Sequence, residues 1–249
     1  MKKPADTRLL IVDDEVDLRD ALAFDFKRKG YQVLTASNGV EAFSVVKQQS
    51  IDVVISDIRM PGGDGIELLS KIKDHNLNLP VVIFMTAYSD IGIEEAYDRG
   101  AEFIFSKPFD RKALHQAVEK AVQPREERWM PDVKNVPIVF SIELNFSRLD
   151  TAIKAHGVSI GRGGLFVALD KNFPTVTETV RFKIQLSQDP NLRDINGSGI
   201  IRWVRKESIG PLPAGCGIEI TFLEDSSREP FLHLIDQLRL RAFIPKGAG

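Results

Sequence analysis

The chain has 249 residues, 43 % apolar and 27 % charged, an ordinary balance for a globular protein and enough length for two domains. A formal net charge of −2 gives no electrostatic case for nucleic acid, and a single cysteine, Cys216, excludes an internal disulfide and suits a reducing compartment. No apolar run approaches the roughly 18 residues of a membrane-spanning helix, and Met1-Lys2-Lys3-Pro4 opens no signal-peptide pattern. A cytoplasmic protein without membrane insertion is expected.

Leu9-Leu10-Ile11-Val12 is a short apolar run of the kind that forms a buried strand in a parallel sheet, and it ends in Asp13-Asp14-Glu15. Val16 to Lys29 then carries Leu18, Ala21, Leu22 and Phe26 at helical spacing, with Gly30 as the stop. A second strand follows over Tyr31 to Ala36 and a second helix over Gly39 to Gln49. Val53-Val54-Ile55-Ser56 is another buried-strand run; it delivers Asp57 to its C-terminal end, and Pro61-Gly62 turns the chain away. Gly65 to Lys73 reads as the third helix, Val81 to Met85 as a strand ending in Thr86-Ala87, and Asp90 to Arg99 as a weaker helix. Glu102 to Ser106 is the last strand of this half and runs into Lys107-Pro108; Asp110 to Val122 is the fifth helix, capped by Asp110.

Five strands alternating with five helices predict a doubly wound parallel sheet of order 2-1-3-4-5. In such a sheet the strand ends share one edge, which would here carry three carboxylates, a hydroxyl and an ammonium. Taken alone, Asp57 would read as a turn aspartate. Beside Asp13 and Asp14 it reads differently, because clustered carboxylates repel unless one is protonated or a divalent cation neutralises them. Mg²⁺ is the expected cation. Phosphoryl transfer needs an in-line nucleophile and neutralisation around the phosphoryl oxygens. Asp57 can attack, and Thr86 and Lys107 can hold the remaining oxygens, so an aspartyl-phosphate site is expected.

With these landmarks in order — Val12-Asp13-Asp14-Glu15, Asp57-Ile58-Arg59-Met60-Pro61-Gly62, Thr86-Ala87 and Lys107-Pro108-Phe109 — residues 7 to about 122 resemble a response-regulator receiver domain. The resemblance implies that Asp57 accepts phosphate from a histidine kinase and that Asp13, Asp14, Asp57 and the Arg59 carbonyl arrange Mg²⁺. It also implies that Thr86 and Lys107 contact the phosphoryl group, and that Lys107-Pro108 is a cis bond. One departure stands out: the family's aromatic switch position, three residues before the lysine, is Ile104. Receivers often pair through their last helices and strand, which makes a homodimer an expectation.

The composition changes at Gln123-Pro124-Arg125-Glu126-Glu127-Arg128-Trp129-Met130-Pro131, read as a linker. The expected division is a receiver over 1–123, a linker over 124–135 and a second domain over 136–249. From Val136 the periodicity is alternating, with about six short strands and turns at Asp189-Pro190-Asn191 and Gly210-Pro211-Leu212-Pro213, which predicts an antiparallel β-barrel. Ser226 to Phe243 reads as a closing helix with Phe231, Leu234, Ile235, Leu238 and Phe243 on one stripe. Arg239, Arg241 and Lys246 then cluster at its end, where the helix dipole favours cations.

Residues 131 to 243 resemble a PilZ domain, through Ser159-Ile160-Gly161-Arg162-Gly163-Gly164-Leu165-Phe166-Val167, Gly199 to Arg205 and Gly215 to Phe222. PilZ domains usually bind cyclic di-GMP through two arginines four apart and an Asp/Asn-x-Ser-x-x-Gly segment. Here Pro131 and Asn135 stand in the arginine places, and Ser159 and Gly161 replace the Asp/Asn and Ser. Losing the forked arginine donors should cost about 1.5–3 kcal/mol for each charged hydrogen bond. Cyclic di-GMP is therefore not expected through the standard motifs. The alternative reading is a dinucleotide receptor that uses Arg125, Arg128 or Arg162 in another geometry. The first reading is a signalling protein whose second domain acts through contacts with a downstream protein, since no catalytic grouping and no helix-turn-helix is legible there. Neither an enzymatic output nor DNA binding is expected.

Overall fold

The computed structural model describes residues 2–87, 92–130, 138–148, 157–188 and 194–247. Its contacts divide the chain into two units, Met1–Gly92 with Arg99–Pro124, and Ile93–Asp98 with Arg125–Gly249.

The first unit is built on five parallel strands, β1 (Arg8–Val12), β2 (Gln32–Ala36), β3 (Val53–Asp57), β4 (Val81–Thr86) and β5 (Phe103–Ser106), in the order β2-β1-β3-β4-β5. This is the predicted order. The apolar runs are buried on both faces: every residue of 9–12, 53–56 and 81–85 is at or near zero exposure. Helices α1 (Val16–Arg28), α2 (Gly39–Gln48), α3 (Gly65–His75) and α5 (Arg111–Ala121) connect or follow the strands. Leu22, Ala23 and Phe26 of α1 and Leu114, Ala117, Val118 and Ala121 of α5 join Leu9, Ile11, Val53, Ile55, Val81, Ile83 and Met85 in one core. Asn38, Asp64 and Asp110 cap α2, α3 and α5 by accepting from backbone amides in the first turn, which satisfies donors the helices cannot bond themselves. The Lys107–Pro108 bond is cis, as expected.

Helix α4 (Ile93–Asp98) is shorter than the predicted Asp90–Arg99; Asp90 lies outside the described residues. It also groups with the second unit rather than with the strands that flank it in sequence. Ala96 and Tyr97 are buried there, at 1 % and 3 % exposure.

The second unit carries a curled six-stranded sheet of order β6-β9-β10-β11-β8-β7, formed by β6 (Phe140–Phe146), β7 (Val158–Ile160), β8 (Gly164–Ala168), β9 (Thr179–Leu186), β10 (Asp194–Arg205) and β11 (Gly215–Leu223). The expectation of an antiparallel barrel is corrected here. β6 runs parallel to β9, from Phe140 opposite Val180 to Phe146 opposite Leu186, so the sheet is mixed. Alternation of apolar and polar residues has the same period in either orientation, which is why the pattern did not distinguish them. The alternation itself is clean: in β9 and β10 every second residue is buried. Register shifts at Ser198/Gly199 and Ile201/Trp203 bend β10 against β11.

The inner face packs on α6 (Asp225–Leu238) through Phe231 and Ile235. Trp129, read as linker, is a core residue at 3 % exposure, edge-on to Phe231 at 5.4 Å, while Arg125 pairs with Asp236 at 2.6 Å. The closing helix also ends earlier than predicted. Arg239 adopts a left-handed conformation (φ 48°) and stops the helix, so Phe243 is not on its stripe and Lys246 is not at its end. Among the described residues no helix is long and apolar enough to cross a membrane.

Candidate functional site: a carboxylate cluster at the strand ends

The sheet register assembles the site. Val12 lies opposite Ser56 in the β1–β3 pair, so Asp13 and Asp57 emerge side by side, at the place where the strand order reverses direction. Asp57 pairs with Met85, Thr86 pairs with Ser106, and Lys107 follows directly. Thus Asp13, Asp57, Thr86 and Lys107 leave four strands at one edge of the sheet.

Carboxylate oxygens of Asp13, Asp14 and Asp57 all lie within 4.8 Å of one another. Asp13 is fully buried and Asp14 exposed. Lys107 Nζ donates to Asp57 Oδ2 at 2.7 Å and to Asp13 Oδ2 at 3.0 Å, so one ammonium bridges the two inner carboxylates. Burial alone would lower the Lys107 pKa, but the hydrogen bonds and charge attraction of Asp57 and Asp13 outweigh it and hold the ammonium above the usual lysine range. The other Asp57 oxygen, Oδ1, accepts from the Ile58 amide at 2.6 Å and, at a longer 3.4 Å, from that of Arg59. The Thr86 carbonyl accepts from the Lys107 amide at 2.6 Å, which locks the end of β5 to the end of β4.

Three carboxylates with no nitrogen or sulfur donor suit a hard divalent cation such as Mg²⁺, which keeps part of its water shell on one or two carboxylates. The buried, cation-bridged geometry around Asp57 is what such an ion would share with Lys107.

Several contributors were not read from the sequence. Arg19 reaches back from α1 to donate to the Asp13 carbonyl at 2.8 Å, and the Glu15 amide donates to Asp13 Oδ1 at 2.9 Å. The Ser56 hydroxyl donates to the Asp57 carbonyl at 2.6 Å. Gly65 has no room for a side chain: a Cβ there would sit 2.3 Å from the Asp57 carbonyl oxygen, while its amide donates to the Ile58 carbonyl at 2.8 Å. Only the Gly65 position had a signal available, a glycine at the first residue of a helix following a turn.

The candidate dinucleotide arginines are placed differently. Arg125 is paired with Asp236, and Arg162 is 8 % exposed with its Nε donating to the Arg241 carbonyl at 3.3 Å. Arg128 is also engaged within the protein, its amide donating to the Arg125 carbonyl at 3.3 Å. Pro131 and Asn135 lie outside the described residues.

A family model for the response regulator receiver domain matches residues 9–119. Sporulation initiation phosphotransferase F of Bacillus subtilis is 40 % identical over 114 residues, which take in 45 % of this chain and 91 % of that protein. Transcriptional regulatory protein GlrR of Escherichia coli is 37 % identical over 132 residues, 51 % of this chain and 29 % of the relative. The DNA-binding transcriptional regulator NtrC of Escherichia coli is 38 % identical over 122 residues, 49 % and 26 %. The chain therefore spans nearly all of the first and under a third of the other two. Among solved structures, Thermotoga maritima TrrA in complex with Mg²⁺–BeF is 32 % identical, with 47 % of this chain and 99 % of that one covered and a TM-score of 0.43. The receiver domain of Brucella abortus NtrX is also 32 % identical, with 46 % and 97 % covered and a TM-score of 0.43.

Proposed function

The chain belongs to the response regulator receiver family through residues 9–119, and from that premise we propose that it is a phosphorelay protein whose phosphoacceptor is Asp57. The observation that carries the reading is the single ammonium of Lys107 bridging Asp57 and Asp13 beside a third carboxylate. In the reaction, the P–N bond of a histidine kinase's phosphohistidine breaks as an O–P bond forms to an Asp57 carboxylate oxygen, and the imidazole leaves. The Ile58 amide holds one Asp57 oxygen and so orients the carboxylate. Lys107 keeps its charge throughout and transfers its donors from the bare carboxylates to the phosphoryl oxygens, with Thr86 on the neighbouring strand end as the second contact. Asp13, Asp14, Asp57 and the Arg59 carbonyl would hold Mg²⁺, which supplies neutralisation of the phosphoryl charge.

The second unit is the output in this proposal. It resembles a PilZ domain in sequence, and it acts by contact with a downstream protein rather than by catalysis. The engagement of Arg125 and Arg162 inside the second unit weighs against the alternative, a cyclic di-GMP receptor built on those side chains. The DNA binding in NtrC's name belongs to that protein, of which this chain aligns with 26 %.

Intact-mass measurement with acetyl phosphate and Mg²⁺ tests the reading. The protein should gain one phosphoryl group, the gain should vanish on chelation of Mg²⁺, and Asp57→Ala should abolish it. Equal labelling of Asp57→Ala would remove Asp57 from its role.

A further inference from the structure

Arg19 stands where a cation is out of place. It lies in the first turn of α1, where the unpaired amides of the helix end carry partial positive charge and favour acids such as Asp17. A side chain in a helix leans toward the N-terminus, so the guanidinium reaches back past Val16 and Glu15 to the end of β1. There its Nη1 donates to the Asp13 carbonyl at 2.8 Å. Asp13 is at zero exposure, so Arg19 supplies a donor that water cannot. The counter-charge is Glu41 in the first turn of α2, whose carboxylate accepts from the Ser37 amide at 2.8 Å and the Ser37 hydroxyl at 2.7 Å. Those two hydrogen bonds, and then the charge of Arg19, hold the Glu41 carboxyl below the usual carboxylate range.

The Asp13 carbonyl belongs to the peptide that joins Asp13 to Asp14, and the plane of that peptide sets the direction in which the Asp14 side chain leaves the backbone. Asp13 has anchors of its own. Its Oδ2 accepts from Lys107, its Oδ1 accepts from the Glu15 amide, and its amide donates to the Ala36 carbonyl at 3.3 Å. Asp14 has none of these: it is exposed, and among the described residues its carboxylate accepts no hydrogen bond. Its place within 4.8 Å of the other two carboxylates is therefore set by the backbone that carries it.

We infer that Arg19 is a positioning residue for the divalent cation: by donating to the Asp13 carbonyl it fixes the Asp13–Asp14 peptide, and with it the aim of the Asp14 carboxylate. The inference rests on the phosphoacceptor reading above. Arg19 need touch neither the cation nor the phosphoryl group; it acts by assembling the oxygens before the cation arrives. Charge alone gives the opposite sign. A guanidinium near a dication repels it, so its removal would tighten binding, whereas loss of a positioning contact weakens it.

The test is a calorimetric titration of Mg²⁺ into the full chain, run beside acetyl phosphate labelling read by intact mass over a range of Mg²⁺ concentrations. Arg19→Ala should raise the Mg²⁺ dissociation constant by about 10- to 100-fold. The Mg²⁺ concentration for half-maximal labelling should rise by the same factor, while the rate at saturating Mg²⁺ returns to the wild-type value. Arg19→Lys, which keeps a donor for the carbonyl, should recover most of the affinity. Should Arg19→Ala fail to fold, Arg19→Gln, with a shorter and uncharged side chain, takes its place. Mg²⁺ affinity equal to or tighter than wild type in a folded variant would overturn the positioning role and leave Asp57 as phosphoacceptor. A labelling rate that stays low at saturating Mg²⁺ would do the same. A wild type that takes no label at any Mg²⁺ concentration would overturn the phosphoacceptor reading, and the role of Arg19 with it.

Discussion

Lys107 illustrates how one side chain decides the character of the site. Without it, the fully buried Asp13 and its neighbour Asp57 would face each other with no counter-charge among the contacts described for them. Lys107→Gln should therefore destabilise the metal-free protein, by about 1.5–3 kcal/mol for each of the two charged hydrogen bonds lost, in a urea titration at neutral pH. The pH dependence has a definite sign. The folded-state pKa of Lys107 is raised above the ordinary 10.5, so its contribution is complete below 10.5 and disappears as pH rises through the higher folded value. The alkaline fall in stability above 10.5 should be shallower in Lys107→Gln than in wild type; an identical alkaline limb would show that the pair contributes nothing. These residues were legible because each ends an apolar run that only a buried parallel strand explains. Arg19 was not, since an arginine within the first turns of a helix is ordinary and its reach to the Asp13 carbonyl depends on where that helix lands.

At the scale of elements, the junction of β3 and α3 is the tightest part of the site. Gly65→Ala would place a methyl group 2.3 Å from the Asp57 carbonyl oxygen, a backbone atom that cannot turn aside. Overpacking of this kind costs about 1–3 kcal/mol or more, and the relief would move Asp57 itself. Thermal unfolding should show the loss, and labelling by acetyl phosphate should slow. Gly92→Ala is the control: a Cβ there meets nothing within 4 Å, and its midpoint should stay level or rise. A Gly65→Ala protein with both wild-type stability and labelling rate would disprove the close approach. Local periodicity predicted the strands and helices of the first unit well, because alternation of buried strands with one-sided helices leaves little freedom. It failed where partners are distant in sequence. β6 alternates correctly yet pairs in parallel with β9, and α6 stops at Arg239 with none of the glycine or asparagine that usually marks a left-handed end. Phe243 kept an apolar identity that suited a helix stripe, but it is buried against Gly163, where a Cβ would fall 2.0 Å from its ring.

For the molecule as a whole, two separate cores mean that stability has two addresses. The carboxylate cluster belongs to the first unit, whereas both tryptophans, Trp129 and Trp203, belong to the second. Mg²⁺ at a hundredfold excess over its dissociation constant should stabilise the unit that binds it by about 2.7 kcal/mol. Far-ultraviolet circular dichroism should register that shift, and tryptophan fluorescence should retain its Mg²⁺-free midpoint. A tryptophan transition that moves in step would mean that the two cores melt together.

The contacts between α4 and residues 243–246 also set an order on biosynthesis. Asp98 and Lys246 are 148 residues apart, so α4 is synthesised well before the segment that covers it. At about 5–20 residues per second, α4 waits roughly 7–30 s for the segment that covers it. For most of that interval the five strands, Asp57 and Lys107 are already synthesised, while Tyr97 has no cover from residues 243–246. A nascent chain thus acquires Asp57 and Lys107 well before the residues that cover α4.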